Sequence, residues 1–308
     1  MICAALYKHT NVRGGNKVYP CCRYKTPVQK FDGNVNEILH TKEYEKLRAD
    51  MEAGWLPGCG KCKHEEDLGM ESLRQRFNKK YTASVPELKY LEVGFDNICD
   101  LTCDGCYEQW SSSWWVKKNP NLPAKLGVTS TKNFENIPDT IERVVFLGGE
   151  PLMTNRHRKF LDALKSLDSL TVEYYTNGMH RLTEQDMALL DKCKHVHFTV
   201  SIDAVGTLNE KVRTGSRWST VVDTLDQIAN KFDYTIHTTV HKNNWHGLPD
   251  MYEFTRGYKN WTTNLLTFPR GMDVINISPK DKTRFAHMLD NFDIPNKEYI
   301  KAHLQGDS

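Results

Sequence analysis

LKYLEVGFDNICDLTCDGC, Leu88 to Cys106, is the stretch that decides the fold of this chain. It opens on an apolar run, Leu88 to Phe95, that reads as a buried strand. It ends on three cysteines, Cys99, Cys103 and Cys106, spaced C-x3-C-x2-C. Three thiolates this close suit three irons of a [4Fe-4S] cube and leave the fourth iron without a protein ligand. An open coordination position is a place for chemistry, as it is on catalytic zinc. A structural zinc knot wants four closed ligands, usually as two C-x-x-C hooks, and no histidine sits near this triplet to complete one. Disulfides are not expected. Nine cysteines is an odd number, no secretory signal is read at the start, and a chain of this length builds a core without staples.

Working outward, VVFLGGEP, Val144 to Pro151, ends a second apolar run on two glycines and a glutamate. Alone, such a GGE is a tight turn of the kind glycine permits at positive φ. Further apolar runs follow at 170–176, 195–203, 234–240 and 264–268, alternating with amphipathic stretches at 156–167, 183–193, 218–232 and 248–258. The second of these amphipathic stretches, 183–193, opens with the capping sequence TEQD, Thr183 to Asp186. Strands separated by helices of this length indicate βα units and a parallel sheet. Six such units read as α/β, a partial (β/α)6 barrel. In barrels of this kind the chemistry sits at the carboxyl ends of the strands, and both Cys99 and the GGE turn follow strands. A helix is expected over 280–289 in a C-terminal tail, 276–308.

The 308 residues, 39% hydrophobic, describe a globular chain. A net charge of +2 and scattered Lys and Arg give no strong case for nucleic acid or a membrane surface. No apolar run approaches the length of a transmembrane helix. Nine cysteines without a disulfide pattern point to a reducing compartment and a cytoplasmic protein. Cys193, beside Leu189 and Leu190, reads as a buried free thiol.

The cysteine triplet followed by GGE resembles the radical S-adenosylmethionine (radical SAM) enzymes. That resemblance implies a [4Fe-4S] cluster whose open iron is chelated by S-adenosylmethionine. It implies reductive cleavage to a 5′-deoxyadenosyl radical that takes hydrogen from a substrate. Gly148, Gly149 and Glu150 match the turn that holds the methionine amino group. TNG, Thr176 to Gly178, closes the third strand and makes Asn177 a candidate. SIDA, Ser201 to Ala204, closes the fourth, so that Ser201 and Asp203 would hydrogen-bond the ribose. Arg213 would pair with the cofactor carboxylate, for which a guanidinium fork is suited. KNN, Lys242 to Asn244, follows the fifth strand and would line the adenine side. Asn177 and Asn244 also read as ordinary turn residues, Asp203 as a helix cap and Arg213 as a surface pair. Many relatives carry an aromatic residue just before the third cysteine. Here that residue is Gly105, and Tyr107 follows the cysteine instead as a candidate cover for the adenine.

The first eighty residues differ from the rest. GGNKVYPCC and WLPGCGKC, with the helix-like stretch between them, resemble the auxiliary-cluster modules called twitch and SPASM domains. Here such a module, 1–80, would precede a core of 85–275. The resemblance implies a second [4Fe-4S] cluster on Cys3, Cys21, Cys59 and Cys62, with Cys22 as an alternative to Cys21. A tetrahedral zinc on the same thiolates is the other reading. The serine- and tryptophan-rich SSSWW, Ser111 to Trp115, fits a group of relatives with this order. The resemblance implies a peptide or protein substrate, with a small metabolite or nucleotide as alternatives, and an electron donor such as flavodoxin or ferredoxin. The competing reading is a non-catalytic iron-sulfur redox carrier or a zinc-stabilised binding module, which would need every metal site closed.

Overall fold

The computed structural model describes residues 1–122 and 132–306. Along the chain the elements are α1 (Ala5–Lys8), β1 (His9–Arg13), β2 (Lys17–Tyr19), β3 (Gln29–Lys30), α2 (Lys42–Ala53), α3 (Gly60–Asp67), α4 (Leu73–Lys80), β4 (Tyr90–Gly94) and β5 (Thr102–Cys103). There follow α5 (Ser112–Lys118), β6 (Arg143–Leu147), α6 (Arg156–Asp162), β7 (Thr171–Thr176), α7 (Glu184–Leu190), β8 (His195–Ser201), α8 (Gly206–Val212) and β9 (Arg213–Thr214). The chain ends with α9 (Trp218–Ala229), β10 (Asp233–Val240), α10 (Leu248–Thr255), β11 (Trp261–Leu265), α11 (Pro279–Asn291) and α12 (Lys297–Gln305). The fold is α/β with mostly parallel strand pairing. No helix among the described residues is long and apolar enough to cross a membrane.

Two compact units share the chain. One holds Met1–Asn97, Ala188–His195 and the described part of 127–173. In it β4 lies parallel to β6, and β1 lies parallel to the other edge of β4. The register sets His9 against Tyr90 and Asn11 against Glu92. β2 returns antiparallel on β1, and β3 on β2. The cysteine-rich N-terminus therefore continues the strand system that β4 begins. Leu91 and Val93 are fully buried in β4, and Val144 and Phe146 in β6. On the opposite face of the strands lies a buried polar network. Glu92 accepts from Tyr90 Oη at 2.8 Å and from Asn11 Nδ2, and its Oε1 is 3.4 Å from His9 Nε2.

The other unit holds Tyr174–Met187 and the described parts of 98–126 and 196–308. β8, β10 and β11 are parallel, with Ser201 against His237 and His237 against Thr262. Phe198, Val200, Ile236 and Val240 are fully buried in these strands. α9 lays Val221, Leu225 and Ile228 on the core as an amphipathic helix should. α11 and α12 contribute Phe285, Leu289, Ile300 and Leu304 to a cluster with Trp245 and Val274. The sixth strand sits three residues earlier than its apolar run suggests, because Trp261 anchors it by donating from Nε1 to Thr238 Oγ1 at 2.9 Å.

Candidate active site

The cysteine triplet is held by a two-stranded ribbon. β5 pairs antiparallel with β9, and Cys103 stands opposite Arg213. The Asp104 N–H donates to the Val212 carbonyl at 2.8 Å and extends the pairing. Gly215 follows at φ +103, and a Cβ there would lie 3.0 Å from the Asp100 carbonyl. Only a residue without a side chain lets the two segments approach this closely.

Arg213 is 8% exposed and donates from Nη1 to Asp203 Oδ2 at 2.8 Å. Its buried Nε has no hydrogen-bond partner among the described residues. Burial works against its charge, yet Cys103, Asp203 and Cys99 around it hold it more firmly protonated than an ordinary arginine. Asp203 is fixed in turn, its Oδ1 accepting from the Thr239 N–H at 2.8 Å. Asn244 is fully buried and spends both its ends on backbone, donating to the Asp203 and Thr239 carbonyls and accepting from the His241 N–H. It ties the ends of β8 and β10 together, which is the ordinary turn role open to it in the sequence. Ser201 is the last residue of β8, half-buried and in register with His237. Burial keeps the His237 imidazole below its usual pKa.

Asn177 is buried and reaches the cysteine loop. Its Nδ2 donates to Asp100 Oδ1 at 3.0 Å and lies 3.9 Å from Cys99 Sγ. His180 adds a second contact, with Nε2 3.0 Å from Asp100 Oδ2. Burial raises the Asp100 carboxyl, but the hydrogen bond and charge of His180 bring it below the usual range. The Asp100–His180 pair was not read from the sequence. Its only signal is closeness to a motif, Asp100 directly after Cys99 and His180 two residues past TNG.

Tyr107 accepts from Trp110 Nε1 at 2.8 Å, and its ring meets Phe268 edge-on at 5.5 Å. Phe268 is 62% exposed. A Cβ on Gly105 would come within 3.3 Å of both methyls of Leu266. Leu266, just past β11, thus takes the space beside position 105 that a side chain there would need. This apolar neighbour of Gly105 is a second feature absent from the sequence reading. Burial raises the Cys103 thiol and pushes Cys106 up to about 12.

In the first unit, Gly148 has φ +131, and a Cβ on it would lie 2.7 Å from the Asp96 carbonyl. The Gly149 N–H donates to that same carbonyl at 3.1 Å. Glu150 is 2% exposed, and one of its oxygens accepts from the Leu152 N–H at 3.1 Å. Among the N-terminal cysteines, Cys3, Cys21 and Cys59 pack on one apolar cluster with Leu6, Tyr24, Leu47 and Leu56. Cys62 is buried at the start of α3 and accepts from Arg23 Nη1 at 3.6 Å. Burial pushes the Cys3 and Cys59 thiols up to about 11, and each feels the charge of Cys62. Cys21 is raised by burial and by Cys22 and Cys3, whereas beyond burial Cys22 feels chiefly Glu92, Arg23 and Arg13. Among the described residues no three His, Cys, Asp or Glu side chains are placed to hold a single metal ion.

The sequence profile of the Radical SAM superfamily matches residues 95–255, which hold both the cysteine triplet and Arg213. The chain belongs to the radical SAM superfamily. No curated protein matches it. Among solved structures it is similar to anSMEcpe with bound AdoMet, at 16% identity and TM-score 0.45, over 72% of this chain and 63% of that one. It is also similar to SuiB of Streptococcus suis bound to precursor peptide SuiA, at 15% identity and TM-score 0.46, over 76% of this chain and 58% of that one. The chain thus spans about three fifths of the length of these solved structures.

The donor set fits a radical SAM cluster. Three half-buried thiols follow one strand, and an arginine with an unspent buried Nε stands opposite the middle one. Thiolates ligate iron, and a nearby guanidinium offsets their charge. The GGE turn fits a small ligand group as well, since its backbone is bare where a Cβ has no room.

Proposed function

We propose that this chain is a radical SAM enzyme built on a partial (β/α)6 barrel, acting in the cytoplasm. Cys99, Cys103 and Cys106 hold a [4Fe-4S] cluster and leave one iron for S-adenosylmethionine. Bound there, cluster and S-adenosylmethionine supply one-electron cleavage of the C5′–S bond and a 5′-deoxyadenosyl radical that takes hydrogen from substrate.

The chain's own residues bind and orient. Arg213 offers its guanidinium to the cofactor carboxylate while Asp203 keeps the fork aligned. Asn177 and the Asp100–His180 pair steady the first cysteine. Ser201 and Asp203 take the ribose hydroxyls. Gly148, Gly149 and Glu150 take the methionine ammonium, which seeks carbonyls or a carboxylate. Tyr107 covers the adenine. The observation that carries the reading is the register of Cys103 against a buried Arg213.

The N-terminal cysteines serve a second [4Fe-4S] cluster of twitch or SPASM type, on Cys3, Cys21, Cys59 and Cys62. Cys21 is favoured over Cys22 because it shares the apolar cluster and the field of Cys3. Modules of this kind accompany peptide-modifying relatives, so a peptide or protein is the substrate. A low-potential donor of the flavodoxin or ferredoxin kind supplies the electron.

Electron paramagnetic resonance of anaerobically reconstituted, dithionite-reduced protein tests the reading. A cluster signal that changes shape on adding S-adenosylmethionine supports it. A signal that S-adenosylmethionine leaves untouched sinks it and favours a redox carrier. For the second cluster, Cys3→Ala with Cys59→Ala should lower bound iron from about eight to about four per chain, with the responsive signal intact. Unchanged iron would rule out this ligand set.

A further inference from the structure

SSSWW runs from the N-cap into the first turn of α5, and the side chains of Ser111, Ser112, Ser113 and Trp114 are spent on the backbone of the cysteine loop. Ser111 Oγ donates to the Leu101 carbonyl at 2.6 Å. The same hydroxyl accepts from the Trp114 N–H at 3.2 Å, which caps the helix. Ser112 Oγ accepts from the Cys99 N–H at 3.1 Å and lies 3.2 Å from the Cys99 carbonyl. Ser113 Oγ donates to that carbonyl at 2.8 Å. Trp114 Nε1 donates to the Cys103 carbonyl at 3.0 Å. That carbonyl also accepts from the Cys106 N–H at 3.0 Å, so the tryptophan braces the turn between the second and third cysteines.

A short helix has few ways to place three successive hydroxyls on one loop. Here Ser111 and Ser112 are 0% and 1% exposed, so neither hydroxyl has water as an alternative partner. Buried donors and acceptors of this sort are costly to leave unmade. The bonds act on backbone, not on the thiols, and they act at Cys99, Leu101 and Cys103. They also engage the Cys99 N–H, a donor of the kind that tunes an iron-sulfur cluster when it turns to sulfur.

We propose that Ser112, Ser113 and Trp114 are positioning residues for the cluster. They lock the backbone at two of its three cysteines and so set both the hold on iron and the electronic environment of the site. Ser111 secures the loop between those cysteines and caps the helix that carries the others. The proposal rests on the reading of Cys99, Cys103 and Cys106 as cluster ligands.

The test uses the full chain, reconstituted anaerobically, as wild type, S113A, S112A/S113A and S113T. Two properties are read: the rate of iron loss to a ferrous chelator, followed on the resonance signal that S-adenosylmethionine alters, and the g-values of that signal. Loss of these hydrogen bonds should speed iron release roughly five- to tenfold in the double variant, less in S113A. The g-values should move in both, and S113T, which keeps the hydroxyl, should return them toward wild type. Wild-type rates and g-values in S113A and S112A/S113A overturn the proposal. If the double variant does not fold, S113A and S113T decide alone, since Ser113 is only half-buried. A wild-type chain without a responsive signal overturns the ligand reading itself, and shows it before any variant is compared.

Discussion

Arg213 faces two demands at once, burial and charge, and both are met by its neighbours. Its charge is held by Cys103, Asp203 and Cys99, and its orientation by the bond to Asp203. Lysine would keep the charge and lose the fork. Arg213→Lys should therefore weaken S-adenosylmethionine binding by about tenfold, roughly one charge-assisted hydrogen bond, with the cluster retained. Equilibrium dialysis against labelled S-adenosylmethionine measures it, and an unchanged affinity would remove Arg213 from the binding site. Gly148 faces a steric demand. With φ +131 and the Asp96 carbonyl 2.7 Å from any Cβ, Gly148→Ala must distort the turn. The cost should be about 1–3 kcal/mol, read as a lower urea midpoint.

At the scale of elements, α12 closes the core of the second unit. Ile300 is fully buried there, so Ile300→Ala should cost about 2–5 kcal/mol, and a thermal melt within error of wild type would show the helix to be dispensable. Elements were legible in the sequence where local pattern and packing agree. α9 shows its stripe at Val221, Leu225 and Ile228. The expected cap at Thr183 forms with Asp186, whose Oδ2 accepts from the Thr183 N–H and whose own N–H donates to Thr183 Oγ1. β1 was not legible. HTNVR has no alternation of apolar residues, and it is a strand because β4 offers it an edge. α12 reads as polar until Leu304 and Ile300 meet the partners that bury them. The site divides the same way. The cysteine spacing and the GGE turn are local and were legible, whereas Leu266 beside Gly105 and His180 on Asp100 are long-range contacts that no spacing announces.

For the molecule as a whole, the buried Glu92 network couples stability to acid. Burial raises the Glu92 carboxyl, but His9, Tyr90 and Asn11 together bring it below its ordinary value. A carboxylate lowered on folding contributes stability that is complete above its unfolded pKa and is lost as pH falls through the folded value. Thermal midpoints should therefore drop on acidification through the glutamate range. Glu92→Gln should flatten that limb and cost about 1–3 kcal/mol near neutrality. A midpoint that falls equally steeply in the variant would assign the acid limb to other groups. Deleting residues 1–80 is the larger perturbation. It strips β1 from β4 and bares a strand edge from Tyr90 to Val93. The remainder should self-associate, and size-exclusion chromatography giving a soluble monomer would refute this.

The pairing of β1 with β4 also sets a timetable for synthesis. Asn11 emerges from the ribosome well before its partner Glu92. At about 5–20 residues per second the wait is on the order of ten seconds. During it β1 has a local partner in β2, to which it is joined by a tight turn at Gly15 and Asn16, both at positive φ. The hairpin keeps the nascent strand occupied on one side, and its other side stays in reserve until the first strand of the cysteine-bearing core arrives.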